Sequence, residues 1–330
     1  RPHSAETGKR NPQAQFVRQQ LMRILPYPER FRFAVRLAQL GRPWLKLLRR
    51  LGFKGLAAMI ELAPKVLPPL PKYEGPGTAV TEAERRARVI LLAGCAQQVL
   101  RPGINDATIR LLARRGVDVI VSAGAGCCGA LTYHLGEEEA AVAFAKQNVD
   151  AWSRELEKGE IDAIIVNASG CGTMVKDYGH LLRRDPEYAA RAQRISELAR
   201  DICEFVGSKY ELGPPKRWSS LRVAYHPACS LQHGQRVTEE PRSLLVKGGF
   251  SVVDVPEAHI CCGSAGTYNI LQPELASQLR DRKSANIKRV KPDLVATGNI
   301  GCITQPAGSP DVPAVPTGEP PDWAYRRPAP

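Results

Sequence analysis

The sequence contains no CxxC pair and no run of about 18 apolar residues. The first absence removes the tight knuckles that structural zinc sites prefer. The second predicts no membrane-spanning helix. The start, RPHSAETGKRNPQ, is polar and lacks the apolar core of a secretory signal. It also lacks an initiator Met, so a segment is expected upstream. Aromatics are only 6% of residues, with no helix-turn-helix, zinc-finger or RNP-like signature, so nucleic acid is not an expected partner. No complete GxGxxG or GxxxxGK[ST] is present, which leaves no standard phosphate-binding loop.

What is present is 330 residues with 43% hydrophobic and 24% charged side chains, a globular composition sufficient for two domains. The net charge of +13 is concentrated at one end. Residues 1–77 carry 15 Lys or Arg against 4 Asp or Glu, whereas the rest carry 31 against 29. A basic segment of this kind suits an acidic partner or an anionic membrane surface.

Nine cysteines stand at 95, 127, 128, 171, 203, 229, 261, 262 and 302. An odd number in a large chain without an export signal argues against a disulfide framework. It favours metal or redox chemistry in a reducing, cytoplasmic compartment.

Residues 1–78 read as basic helices and a linker. NPQAQFVRQQLMRIL, PERFRFAVRLAQLG and PWLKLLRRLGFKGLAAMIELAPKVL repeat apolar residues at three- and four-residue intervals. LPPLPKYEGPGTA, rich in Pro and Gly, links them to the rest of the chain. Residues 79–205 alternate strand and helix: ARVILLAGCA, NDATIRLLARRG, VDVIVSAGAGCCG, EEEAAVAFAKQNVDAWSRELEKG and IDAIIVNASGCG. Residues 206–330 do so again, with LRVAYHPACSL, FSVVDVPEAHICCG and PDLVATGNIGC as strands and QPELASQLRDRKSANIKRV as a helix. The pattern predicts an α/β fold: two duplicated βαβαβ halves with parallel sheets behind a helical segment. Residues 173–205 are expected to be a helical bridge, and the Pro-rich tail is expected to keep at most a short helix.

The cysteines obey the same duplication. Cys95 to Cys127 is 32 positions, as is Cys229 to Cys261; Cys128 to Cys171 is 43 and Cys262 to Cys302 is 40. Each of these eight falls at the carboxyl end of a predicted strand, the edge where loops of parallel sheets converge on ligands. Two quartets are therefore expected: Cys95, Cys127, Cys128 and Cys171, then Cys229, Cys261, Cys262 and Cys302. Four thiolates suit a tetrahedral zinc or an iron–sulfur cluster. Neighbouring side chains diverge, which serves one small ion poorly and a larger cluster better. Buried, unliganded thiols are the bland alternative. The adjoining glycines would let backbone N–H groups approach cluster sulfur.

These residues resemble a known family. A Cys, a Cys-Cys-Gly 32 positions on and another Cys 40 or 43 positions beyond, occurring twice, is similar to the cysteine-rich (CCG) domain pair. That pair occurs in the cysteine-rich subunit of heterodisulfide reductase and in iron–sulfur subunits of flavin-linked 2-hydroxy-acid and glycerol-3-phosphate dehydrogenases. AGCCGALTYHLG, NASGCGTMVKDYGHLL, CSLQHGQ, HICCGSAGTYNILQPELASQLRDRK and TGNIGCITQ most resemble the glycolate oxidase iron–sulfur subunit family, across residues 15–305.

The resemblance implies an iron–sulfur cluster, [4Fe-4S] in type, on the eight paired cysteines, and no catalytic acid, base or nucleophile in this chain. It implies FAD-binding partner subunits that oxidise glycolate to glyoxylate. Electrons would then pass through this chain to a quinone or other acceptor, with activity only in the complex. It also leaves peripheral contact with the inner face of the membrane, through the basic segment, as an expectation. A lactate or glycerol-3-phosphate dehydrogenase subunit and a thiol–disulfide reductase stay open as alternatives. Three departures stand out. The ferredoxin-like domain with CxxCxxCxxxCP runs is absent and expected upstream. Ala168 and Asn299 occupy the positions where a final CxxC would place a fifth cysteine. The tail is Pro-rich.

Around the quartets, His226 and His233 are read as a ligand or proton relay, or as hydrogen-bonded structural histidines. His134 and His259 flank the Cys-Cys-Gly turns. Tyr133 and Tyr268 are read as packing residues, and Cys203 as a core thiol. Asn167 starts a glycosylation sequon that a cytoplasmic chain would not use.

Overall fold

A computed structural model describes residues 12–70, 76–81, 84–210, 220–305 and 312–324. The extreme start, the middle of the linker (71–75) and parts of the tail (306–311 and 325–330) lie outside the described residues.

The basic segment forms helices α1 (Pro12–Ile24), α2 (Pro28–Gly41), α3 (Leu45–Arg50) and α4 (Lys54–Leu62). Proline opens α2, where a missing N–H costs nothing. Leu21, Pro26, Val35, Ala57, Ile60 and Ala63 are buried in this segment. No helix among the described residues is long and apolar enough to cross a membrane.

The first half contains β1 (Gly77–Ala79), β2 (Ala87–Leu91), α5 (Ala96–Leu100), α6 (Gly103–Ala113), β3 (Val117–Val121), α7 (Ala130–Leu135), α8 (Glu138–Glu157) and β4 (Ala163–Val166). It continues through α9 (Ser169–Lys176), α10 (Tyr178–Leu181), α11 (Ala189–Leu198), β5 (Ala199–Asp201) and α12 (Ile202–Lys209). The second contains β6 (Arg222–Tyr225), α13 (Glu239–Lys247), β7 (Ser251–Asp254), α14 (Tyr268–Leu271), α15 (Pro273–Arg289), β8 (Leu294–Thr297), α16 (Ile300–Thr304), β9 (Ala314–Pro316) and α17 (Glu319–Ala324).

The duplication appears in the strand order. The first sheet runs β1-β3-β2-β4-β5 and the second β7-β6-β8-β9, so β3-β2-β4-β5 matches β7-β6-β8-β9. All pairings are parallel except β1 with β3. Strands β4 and β8 are buried at every residue, which is why they read as unbroken apolar runs. One core joins the halves: Val89, Leu91 and Ile165 share a cluster with Val223, Leu294 and Ala296, bridged by Phe205 of α12 and Leu244 of α13.

Three short strands depart from the expected pattern. The linker ends in β1, the expected helical bridge contains β5, and the tail contains β9. Each has three residues, too few to show an alternation, and each occupies a sheet edge. Pro316 is tolerated in β9 because an edge strand has a free side. The tail's helix is short, as expected, and it is anchored. Asp322 of α17 is fully buried and accepts hydrogen bonds from Arg110, at 2.9 Å, and from Arg114, both flanking the carboxyl end of α6. Asp322→Ala should destabilise the fold by about 3 kcal/mol, the low end for a broken buried pair, because both guanidinium groups keep some solvent. A lower urea midpoint would register this, and an unchanged midpoint would refute it.

Candidate metal centre

The parallel strands deliver the cysteines to one edge of each sheet, but not always on the strand itself. Cys95 lies four residues past β2, at the start of α5, after a turn in which Gly94 takes φ +74°. Cys127 and Cys128 end the loop after β3. Cys171 is the third residue of α9, beyond β4. The second half repeats this. Cys229 follows β6 and opens a π-helical turn (Ser230–Gln235), Cys261 and Cys262 follow β7, and Cys302 is the third residue of α16. All nine cysteines are free thiols.

Each quartet forms a chain of sulfur contacts. In the first, Cys95 meets Cys127, which meets Cys128, which meets Cys171. In the second, Cys229 meets Cys261, then Cys262, whose Sγ lies 3.4 Å from that of Cys302. The glycine after each pair donates its N–H to the pair's first sulfur: Gly129 to Cys127 at 3.5 Å, Gly263 to Cys261 at 3.3 Å. In the first pair both thiols line one cavity, and in each pair the glycine closes the turn.

Crowded thiols resist joint ionisation. Contact with Cys127, then burial, holds the Cys95 thiol well above its ordinary value. Contact with Cys128 pushes Cys127 up to about 12, against the opposing pull of Cys95. Cys127 pulls Cys128 down, but Cys171 and burial outweigh it and Cys128 is raised. In the second quartet, hydrogen bonds from Cys229 and Cys262 draw Cys261 down to about 2, and Cys262 draws Cys302 down to about 5. Cys229 and Cys262, the donors, are correspondingly raised. Metal-ligating sulfur is thiolate. A bound cation supplies the positive charge that would let all four sulfurs ionise together. Soft donors and backbone N–H groups aimed at sulfur fit an iron–sulfur group.

The supporting shells differ. Behind the first Cys-Cys turn, Asn148 donates to the Cys127 carbonyl (2.9 Å) and accepts from Gly126 N–H (2.8 Å), while Tyr178 donates to the Cys128 carbonyl (2.9 Å). A buried network of Gln97, Asn105, Asn167 and Thr108 fixes the turn before Cys95, with Asn105 donating to the Ala93 carbonyl at 2.9 Å. Asn167 is therefore structural and, at 6% exposure, sterically closed to glycosylation. Behind the second turn, Lys283 donates to the Glu257 and Ala258 carbonyls at 2.8 and 3.3 Å. Burial lowers the Lys283 ammonium's pKa, and the four sulfurs of the quartet oppose that shift. The sequence pattern gives no sign of Asn148, Tyr178 or Lys283, because a polar residue on an amphipathic helix looks solvent-facing.

His226 is fully buried, and neither ring nitrogen meets an oxygen or nitrogen partner among the described residues. Its ligand atom lies within 4.8 Å of those of Cys262 and Cys302. The polar neighbours it has among the described residues are cysteine sulfurs, and its interaction with the Cys302 thiol helps hold that group down. His233 and His259 are exposed. His134 is also exposed, yet it lines a cavity beside the first quartet. Tyr133 is 40% exposed rather than packed, Tyr268 is half-buried, and Cys203 is a core thiol.

That cavity, of about 300 Å³, opens onto all four cysteines of the first quartet. Its far wall is apolar and comes from α1, α2 and α4, including Leu21, Phe31, Val35 and Met59. The second half contributes Ser264, Gly266, Asn299 and Gly301. The halves are stitched together beside it by Ser169 N–H to the Gly298 carbonyl (2.9 Å), and by the Ser169 and Ser230 hydroxyls (2.7 Å).

Comparison with known proteins agrees with this architecture. The model of the family described as "Cysteine-rich domain" (CCG) matches residues 89–176 and 223–305. The chain is 39% identical over 293 residues to the glycolate oxidase iron-sulfur subunit of Escherichia coli, a match covering 89% of this chain and 67% of that protein. It is 28% identical over 224 residues to lactate utilization protein A of Bacillus licheniformis, covering 67% of this chain and 91% of the relative. A crystal structure of a hypothetical protein from Helicobacter pylori shares the fold, with a TM-score of 0.53 at 9% identity over 99% of this chain and 75% of that one. The chain spans about two thirds of the length of the E. coli relative. It belongs to the cysteine-rich CCG-domain family and, within it, to the family of the glycolate oxidase iron–sulfur subunits.

Proposed function

We propose that this chain is the iron–sulfur electron-transfer subunit of a flavin-linked 2-hydroxy-acid oxidase complex, with glycolate as the acid oxidised on a partner subunit. One observation carries the reading: eight cysteines gather as two quartets of neighbouring sulfurs, one at the edge of each sheet. Cys95, Cys127, Cys128 and Cys171 would hold one [4Fe-4S] cluster; Cys229, Cys261, Cys262 and Cys302 would hold the other. A bound cluster accepts and releases single electrons. The protein's part is to exclude water, to donate N–H groups to sulfur and to fix the distance between the sites. FAD belongs to the partners. Visible absorbance of the loaded chain should bleach when glycolate and the flavoprotein subunits are added without oxygen. Loss of colour with L-lactate instead would favour the second reading, which the lactate utilization relative supports. Absence of bleaching with either acid would overturn both.

The acceptor side is read from α2. Its inner face, with Phe31, Val35 and Ala38, lines the cavity beside the first quartet. Its outer face, the turn that follows it, α3 and the residue capping α3 expose Phe33, Leu37, Leu40, Trp44, Leu47 and Leu51, an apolar stripe at alternating four- and three-residue spacing. Arg36, Lys46, Arg49 and Arg50 are exposed around it. Apolar stripe and flanking cations are the chemistry of a helix lying on an anionic bilayer. One helix diameter, roughly 10 Å, would then separate a membrane quinone from the first quartet. Binding to vesicles containing anionic phosphatidylglycerol should fall at least tenfold in Leu40→Glu/Trp44→Glu, and should be absent for neutral phosphatidylcholine. Equal binding to both vesicles would contradict this contact.

A further inference from the structure

The duplicated halves share the layout of their sites, and two of the positions at which they differ change the charge and polarity around the sulfurs. Each Cys-Cys-Gly glycine sits over the carbonyl of a helical alanine: Gly129 over Ala141 of α8, and Gly263 over Ala276 of α15. Seven residues past these alanines come Asn148 and Lys283, both buried and both bonded to the backbone of the loop that carries the cysteine pair. Three residues before Cys95 is Leu92, and three before Cys229 is His226. The first quartet thus has a neutral amide and an alkyl group where the second has an ammonium and an imidazole.

Neither second-site group is satisfied by ordinary partners. Lys283 is 1% exposed and bonds only to carbonyl oxygens, with no carboxylate partner among the described residues. The Glu257 carboxylate is engaged by Arg282 and Asn286 instead. His226 is 0% exposed, and its ring nitrogens find no oxygen or nitrogen partner among the described residues, only the sulfurs of Cys262 and Cys302 within 4.8 Å. A buried cation needs a counter-charge, and a buried imidazole needs an acceptor. The surrounding sulfurs answer both needs when they are thiolates holding a group of net negative charge.

We propose that Lys283 and His226 make the second site electrostatically unlike the first, so that the group held by Cys229, Cys261, Cys262 and Cys302 has the higher reduction potential. The inference rests on the proposed iron–sulfur function. Adding an electron adds negative charge, which a fixed ammonium and an N–H donor to sulfur stabilise. An electron shared between the sites then resides at the second, reducing it and leaving the first oxidised. Lys283 and His226 are positioning residues here, because they set the field at the site.

The test is a potentiometric titration of the anaerobically loaded full chain, followed by electron paramagnetic resonance. Two resolved one-electron midpoints are expected. Lys283→Met should lower the higher one by an amount equivalent to at least a tenfold change in the reduction equilibrium, about 59 mV, and leave the lower one in place. Lys283→Arg, which keeps the charge, should restore most of it. His226→Phe should shift the same midpoint downwards and alter the same signal. Should Lys283→Met fail to load, the His226 variant and the wild-type splitting decide alone. A single coincident midpoint, or equal shifts of both, would overturn the inference while leaving the iron–sulfur reading intact. A chain that takes up no iron or sulfide would remove both.

Discussion

Cys262→Ser should cost the loaded chain about half of its iron, with the other half retained. Cys262 is one of the two middle sulfurs of its quartet, 1% exposed and in contact with both Cys261 and Cys302. Its loss breaks the chain of contacts in the middle, whereas loss of Cys229 would only trim an end. A serine oxygen is a harder donor and a poor replacement for thiolate at iron. The separate first quartet should keep its share, since no cysteine serves both. Cys128→Ser is expected to give the mirror result, removing the first group and sparing the second. Cys203→Ser is the control: that thiol is buried in the core near the start of α12, outside both quartets, so iron should be unchanged. Iron analysis per chain with the visible spectrum measures all three. Full retention of iron in Cys262→Ser would remove that residue from the ligand set.

Gly263→Ala should be nearly as damaging, through the backbone. Gly263 has φ +90°, and an added Cβ would collide with the Ala276 carbonyl oxygen. That oxygen belongs to a helix backbone and cannot swing aside. Left-handed strain for alanine costs about 1–2 kcal/mol, and overpacking a tight site adds about 1–3 kcal/mol. We expect a combined loss of about 3 kcal/mol, together with displacement of Cys261 and Cys262 and loss of the second group. Gly129→Ala should act likewise on the first, with its Cβ 2.9 Å from the Ala141 carbonyl oxygen. Gly136→Ala separates the two causes, because Gly136 has φ +93° but nothing within 4 Å of its Cβ. It should lose only the strain. Denaturant titration of the three variants reads the order; equal effects would show that the contact with the helix does not matter.

Much of this site was legible because the duplication fixes it twice. Strand, helix and strand recur with 32 positions between Cys95 and Cys127 and between Cys229 and Cys261, and a parallel sheet brings such positions to one edge. Less legible was what holds the edge in place. Cys171 and Cys302 read as strand termini, but two-residue turns, Asn167-Ala168 and Gly298-Asn299, carry them into helices α9 and α16. Lys283 stands among Arg280, Arg282 and Lys288 on α15, so its charge looks like one of a solvated set. Only packing shows it turned inward. That the His226 nitrogens meet only cysteine sulfur among the described residues is likewise a tertiary property, invisible in the motif HPAC. The α2 helix hid its double role because apolar residues on both of its faces do not tell which face is covered. The short edge strands carry too little sequence to declare themselves.

Iron and acid-labile sulfide, counted in the full chain purified and reconstituted without oxygen, bear most directly on whether two sulfur quartets hold clusters. Two [4Fe-4S] groups predict about eight of each per chain, four for each quartet. Stoichiometric zinc, or thiols that remain free and metal-less after reconstitution, would contradict it.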